Sequence, residues 1–169
     1  RAMKAAGVKA VAIGFLYGFV RPDHENRARD IVLEEMPDAF VATSHDVAPE
    51  FREYERTSTT VINAYVRPVV RRYVTAMQRE LAQLGYAHEL MIMQSNGGVL
   101  PAAVASRLPV RMFLSGPAAG VAGAAFVARH CGASNLITMD IGGTSCDIAL
   151  VVGGQPQMVA KGLSEYRID

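Results

Sequence analysis

The run Met139-Asp140-Ile141-Gly142-Gly143-Thr144-Ser145-Cys146-Asp147-Ile148 decides how this chain is read. Apolar residues lead into it from Leu136 and out of it to Val152, so two strands flank a tight turn at 142–145. Two glycines without side chains let a ligand come close to the backbone. Successive N–H groups in such a turn form a concave nest for phosphate oxygens. Thr144 and Ser145 add hydroxyl donors. Asp140 stands at the end of the incoming strand and Asp147 just across the turn. Two carboxylates beside a phosphate nest suit Mg²⁺, which keeps most of its own waters, with Asp140 the first choice as metal ligand. An ordinary β-hairpin with acidic ends is the alternative.

Working outward, Gly153-Gly154 turns the chain again toward 157–160, which makes residues from 134 on an antiparallel meander. Before the meander, Gly116 precedes Pro117, a residue suited to open a helix, and that helix runs to about His130 with Gly132 past its end. Small residues crowd it, from Ala118 to Ala125, and imply that another backbone packs close to it. Residues 110–114 read as a strand and 102–107 as a short helix. A strand over 90–94 runs into Ser95-Asn96-Gly97-Gly98, a turn in which Asn-Gly and Gly-Gly supply positive φ cheaply. Ser95 is not placed as a nucleophile elbow, because Met93 stands where glycine is needed. On the residues alone the loop, at a strand end, reads as a turn.

Further back, residues 8–15 are nearly all apolar and fit a buried parallel strand. A helix opened by Pro22-Asp23 and closed by Pro37-Asp38 follows, then a strand over 39–43, and the three form a βαβ unit. Residues 52–56 are charged and read as a surface connection. Ile62, Val66, Val69, Tyr73, Met77, Leu81 and Leu84 then step by three or four, giving a long helix with Thr57 or Ser58 as cap and Gly85 as stop. Pro68 predicts a kink there or two abutting helices. Arg67, Arg71 and Arg72 read as a solvated face. Parallel βα units are therefore expected through about residue 131.

The chain has 169 residues, enough for one domain or parts of two. At 50% hydrophobic and 20% charged it can bury a core and is not a disordered chain. Seventeen basic against sixteen acidic residues give a net charge of +1, with no excess that would draw nucleic acid or an anionic membrane. The apolar stretch at 10–20 is too short to span a bilayer and lacks a cleavage site. Cys131 and Cys146 show neither disulfide-framework nor zinc spacing, which fits a reduced, cytoplasmic setting. The four histidines show no ligand spacing. The first residue, Arg1, opens a segment that reads as the interior of a longer chain.

Four blocks together resemble the hydantoinase A / 5-oxoprolinase family, within the superfamily of actin-like, sugar-kinase and heat-shock-chaperone ATPases. They are 57–65 (TSTTVINAY), 93–98 (MQSNGG), 114–120 (LSGPAAG) and 139–147. Cys146 stands where the resemblance expects Thr and is read as facing the core. The resemblance implies an α/β fold of actin-like (ribonuclease H-like) ATPase lobes. Residues 1–131 would be the C-terminal part of the first lobe, with 117–131 its connecting helix, and 132–169 the start of the second; a family-domain boundary is expected near 45–65. It implies a Mg²⁺- and ATP-dependent hydrolase that opens a cyclic amide such as hydantoin or 5-oxoproline, ATP phosphorylating the amide oxygen so that water can attack. Asp140 and Asp147 would be catalytic. Gly142, Gly143, Thr144, Ser145, Ser115 and Gly116 would bind the nucleotide, and Ser95, Asn96, Gly97 and Gly98 the substrate. A hydantoinase B-type partner and an oligomer are implied too, with no nucleic acid or membrane partner. A carboxylase subunit, or another actin-like ATPase or kinase, is the second reading, and a non-enzymatic binding module a distant third. With the first phosphate hairpin and the adenosine site outside this stretch, the chain alone is expected to hydrolyse no ATP.

Overall fold

The computed structural model describes residues 2–158. The described residues fall into two compact units, one of 2–87 with 106–110, the other of 88–105 with 111–158.

In the first unit a one-turn helix α1 (Ala2–Ala5) precedes strand β1 (Ala10–Ile13). Helix α2 (Asp23–Glu35) crosses to strand β2 (Phe40–Thr43), which pairs parallel with β1 from Ala10 opposite Phe40 to Ile13 opposite Thr43. The expected βαβ unit is present. A single turn, α3 (Ser44–Val47), leads toward α4 (Glu53–Gln83), a 31-residue helix that packs on both strands. Residues 53–56 are therefore helix and not a surface connection. Thr57 and Ser58 lie inside it, and Pro68 sits within one helix rather than between two. Gly85, at φ +85°, ends it as expected.

The buried face of the first turns of α4 is mostly polar. Arg56, Thr59, Thr60, Asn63 and Ala64 are buried, as is Val74 further along, whereas Val69 and Tyr73 are exposed. The reason is a polar network at its foot. Glu25, 0% exposed, accepts the Ser44 hydroxyl at 2.6 Å and the Phe15 N–H at 2.9 Å on Oε1. Its Oε2 meets the His45 N–H at 3.1 Å and ring Nδ1 at 2.8 Å. Arg56, 2% exposed, donates to Ser44 Oγ and to the carbonyls of Glu50 and Phe15. Charge buried this way is tolerated because every lone pair is engaged. Desolvation pushes the Glu25 pKa up, but the bonds from Ser44, Phe15 and His45 outweigh it and hold the carboxyl below its ordinary value. Asn63 ties α4 to 106–110, donating to Arg107 O and accepting the Val110 N–H. Arg67 is not a solvated side chain: it is half-buried and donates to Val41 O.

In the second unit, β3 (Met91–Met93) and β4 (Val99–Pro101) pair antiparallel around the Asn-Gly-Gly turn. This corrects the expectation of parallel units to residue 131. The turn returns the chain at once because Gly97 takes φ +81° and the Asn96 side chain accepts the Gly98 N–H. Helix α5 (Ala102–Arg107) follows. Residues 110–114 are not a strand: Pro109–Met112 form a 3₁₀ turn and Leu114 adopts the left-handed conformation. Helix α6 (Ser115–His130) starts two residues ahead of Pro117 and stops at Gly132, φ +75°. Strands β5 (Leu136–Ile141), β6 (Cys146–Val152) and β7 (Gln155–Pro156) make the expected antiparallel meander. Gly153 and Gly154, both at positive φ, form its second turn. The strand expected at 157–160 is instead the short β7, and 159–160 lie outside the described residues.

Candidate functional site

The hairpin sets the two carboxylates side by side. In the β5–β6 ladder Asp140 is the direct partner of Asp147, with Ile141 opposite Cys146 next to the turn. Directly opposed residues hold their Cβ atoms roughly 4.5–5.5 Å apart on one face of the sheet. Inside the turn, Gly142 donates its N–H to Ser145 O at 2.9 Å. A Cβ built on Gly143 would meet nothing within 4 Å, so the backbone there is open to a ligand.

Asp140 and Asp147 line a cavity of about 620 Å³ that belongs wholly to the second unit. Ser95, Asn96 and Gly97 line it as well, and so do Leu114 and Pro117 at the start of α6. The structure thus brings together the carboxylate pair and the Ser-Asn-Gly loop. Gly98 lies behind the loop, its carbonyl accepting the Gln94 N–H. Gly142, Gly143, Thr144 and Ser145 sit at the hairpin tip and Ser115 and Gly116 beside the rim, none of them on the cavity wall.

The loop is held from its own unit. Ser95 donates its N–H at 2.8 Å and its hydroxyl at 3.1 Å to Arg111 O. A serine spent on a backbone carbonyl, with no histidine on the cavity wall among the described residues, is a loop anchor and not a nucleophile.

Two features of the site were not foreseen. The glycines of α6 are not sites of close backbone packing: among the described residues a Cβ on Gly116, Gly120 or Gly123 would meet nothing within 4 Å. Ala118, Gly120, Ala122 and Ala124 line the cavity, so small size there makes room for a ligand. Leu114, at φ +54°, is the second. Non-glycine residues reach this conformation at a cost of roughly 1–2 kcal/mol, and strain of this kind gathers at functional sites. No sequence signal marks it. Cys146, expected to face the core, is exposed. It shares the outer sheet face with Ile137, Met139, Ile148 and Leu150, all exposed too.

The donor set fits Mg²⁺. Among the described residues no group of three or more His, Cys, Asp and Glu gathers that could cage a metal ion. Two exposed, opposed carboxylates with room for water match an ion that binds through one or two carboxylates and keeps its hydration. No described helix is long and apolar enough to cross a membrane.

An α/β chain with an acidic hairpin over a ligand-sized cavity is the general class. The comparisons narrow it. A profile described as Hydantoinase/oxoprolinase matches residues 56–169, and the chain belongs to that family. It is 44% identical over 148 residues to the caprolactamase subunit alpha of Pseudomonas jessenii, covering 88% of this chain and 21% of that one. The 5-oxoprolinase of Saccharomyces cerevisiae is 32% identical over 163 residues, 94% of this chain and 12% of the other. A nucleotide-free acetone carboxylase, from a study of ATP-dependent acetone carboxylation, superposes with a TM-score of 0.82 at 29% identity, over 98% of this chain and 24% of that one. The chain thus spans a quarter or less of the length of each.

Proposed function

We propose that this chain is a segment of an ATP-dependent enzyme that opens a cyclic amide of the hydantoin or 5-oxoproline type. The observation that supports it is the single cavity shared by the Asp140–Asp147 pair and the Ser95–Gly97 loop. Asp140, with Asp147 beside it, would hold hydrated Mg²⁺; the ion supplies charge neutralisation at a phosphoryl group. The open backbone at Gly143 and the hydroxyls of Thr144 and Ser145 offer donors to phosphate oxygens at the hairpin tip. Ser115 and Gly116, at the start of α6, present further backbone N–H groups at a helix N-terminus, where anions are favoured. Asn96, Gly97 and their neighbours line the same cavity and would orient the amide. Phosphorylation of the amide oxygen turns a poor electrophile into one that water attacks, so the protein's task is positioning.

In this reading 117–131 connects two actin-like lobes that divide at 131/132, and the longer protein is cytoplasmic, oligomeric and joined to a hydantoinase B-type partner. The likeness to acetone carboxylase supports a second reading, a carboxylase subunit built on the same phosphoryl chemistry. The test is ATP hydrolysis by the purified full-length protein with 5-oxoproline, hydantoin, caprolactam, or acetone plus bicarbonate. ADP release coupled to ring opening supports the first reading; ADP release that needs acetone and bicarbonate replaces it with the second. Ring opening that proceeds without ATP overturns both.

A further inference from the structure

Arg67 holds a donor with no acceptor. Its Nη1 donates to Val41 O at 2.6 Å, while its Nε is buried and has no hydrogen-bond partner among the described residues. Buried polar groups are nearly always paired, so an orphan donor on a charged group calls for an explanation. Arg67 lines a cavity of about 240 Å³, and Arg29 and Arg107 line it with it. Every lining residue belongs to the first unit, so this cavity is separate from the one beside the hairpin.

The charge on its wall is unbalanced. Among the described residues, three arginines and one carboxylate, that of Asp46, line it. Arg29 has its own neighbour in Asp30, at 3.5 Å, which is not on the wall. Burial, then Arg71 and Arg107, pull the Arg67 pKa below its ordinary value, against an opposite pull from Asp46. An arginine stays charged all the same, so the cavity keeps an excess of positive charge. The rest of the wall is the amide of Asn63 and the aliphatic residues Leu33, Ala39, Val41, Ala42, Val47 and Leu108.

We propose that this cavity binds a small aliphatic carboxylate, its oxygens on Arg67 and Arg107 and its hydrocarbon part against Leu33, Val41 and Leu108. A planar guanidinium matches a carboxylate through two parallel charge-assisted bonds. The cavity holds roughly eight waters at about 30 Å³ each, enough for an acid of a few carbons and below the 300–1,000 Å³ typical of drug-sized ligands. Inorganic phosphate would leave the aliphatic wall uncovered. The site does not rest on the hairpin chemistry.

The test is saturation-transfer NMR with butyrate on the full-length protein in a buffer free of other carboxylates, with inorganic phosphate as competitor. Transfer to the butyrate methylenes is expected. Losing one charge-assisted bond should weaken it about tenfold or more in Arg107→Gln and Arg67→Met. Arg107 is exposed and holds Asn63 through its backbone carbonyl, so Arg107→Gln carries the test even if Arg67→Met, which also loses the Val41 bond, does not fold. No transfer, as when an acidic side chain of the longer protein fills the cavity, overturns the proposal. So does transfer that neither variant changes, or phosphate binding at least as tightly as butyrate.

Discussion

Asp140 and Asp147 are direct partners across the β5–β6 ladder, two like charges on one face of an exposed hairpin. Opposed like charges destabilise a sheet. In the proposed function a hydrated divalent cation would relieve the repulsion.

Asp140→Asn keeps the shape and removes one charge. The fold is expected to hold, since the side chain is exposed and its repulsion with Asp147 is relieved. ATP-dependent turnover of the full-length protein should fall by about 10²–10³, the usual cost of losing positioned charge at such a centre. Mg²⁺ should raise the melting temperature of the wild type and not of the variant. A variant that folds normally and turns over at the wild-type rate makes residues 139–147 an ordinary hairpin.

Glu25→Gln tests the buried network of the first unit. The amide brings a donor where the carboxylate accepted Ser44, Phe15 and His45, at a cost of about 1–3 kcal/mol. The folded-state pKa of Glu25 is depressed, so its stabilisation is present above the unfolded-state value near 4.3 and is lost as pH falls through the lower folded value. The stability gap between wild type and variant should therefore be constant near neutrality and shrink with acid. Chemical denaturation at pH 7 and at pH 3 checks it; a gap that widens at pH 3 contradicts the network.

Much of the fold was legible. The βαβ unit, α6 and the meander follow from apolar runs and from Gly-Gly and Asn-Gly turns, which are local signals. The misreadings share one cause, burial decided by distant partners. Arg56 reads as a surface charge until Ser44, Glu50 and Phe15 surround it. Its burial turns the polar side of α4 inward and leaves the apolar steps at Val69 and Tyr73 outside. Residues 110–114 have strand-like composition, but Val110 is fixed to Asn63 and the chain winds into a 3₁₀ turn. At the candidate site the residue types of the hairpin were legible. That its aspartates and the Ser95 loop share a cavity was not, because their separation of some forty residues carries no local signal.

Two glycine substitutions should act in opposite directions. A Cβ at Gly18 would collide with Glu25 Oε1, and neither a 0%-exposed carboxylate nor the nearby Phe15 carbonyl can yield. Gly18→Ala should destabilise by about 1–3 kcal/mol. Gly123 lies within α6 with open space around it and off the cavity wall. Gly123→Ala should stabilise by about 0.5–1 kcal/mol, the helix-propensity gain, and leave turnover unchanged. Thermal melts of both full-length variants decide it, and equal effects on the two would contradict the packing described.

Ser95 gives the sharpest separation of chemistry from positioning. Its hydroxyl is committed to Arg111 O, so its role is to fix the loop that lines the cavity. Were it a nucleophile, Ser95→Ala would abolish turnover, as removal of a catalytic serine does, by about 10⁶. As a loop anchor it loses one hydrogen bond of about 0.5–1.5 kcal/mol, while the Ser95 N–H still reaches Arg111 O. The expected result is a KM for the cyclic substrate raised several-fold with kcat nearly unchanged. Asn96→Ala, which frees the Gly98 N–H and loosens the same loop, should move KM in the same direction. The KM for ATP should stay put in both, because the hairpin is untouched. Steady-state kinetics with each substrate varied in turn checks this. A collapse of kcat in Ser95→Ala alone, with KM unmoved, would return Ser95 to the chemistry and remove the loop from the substrate-binding role.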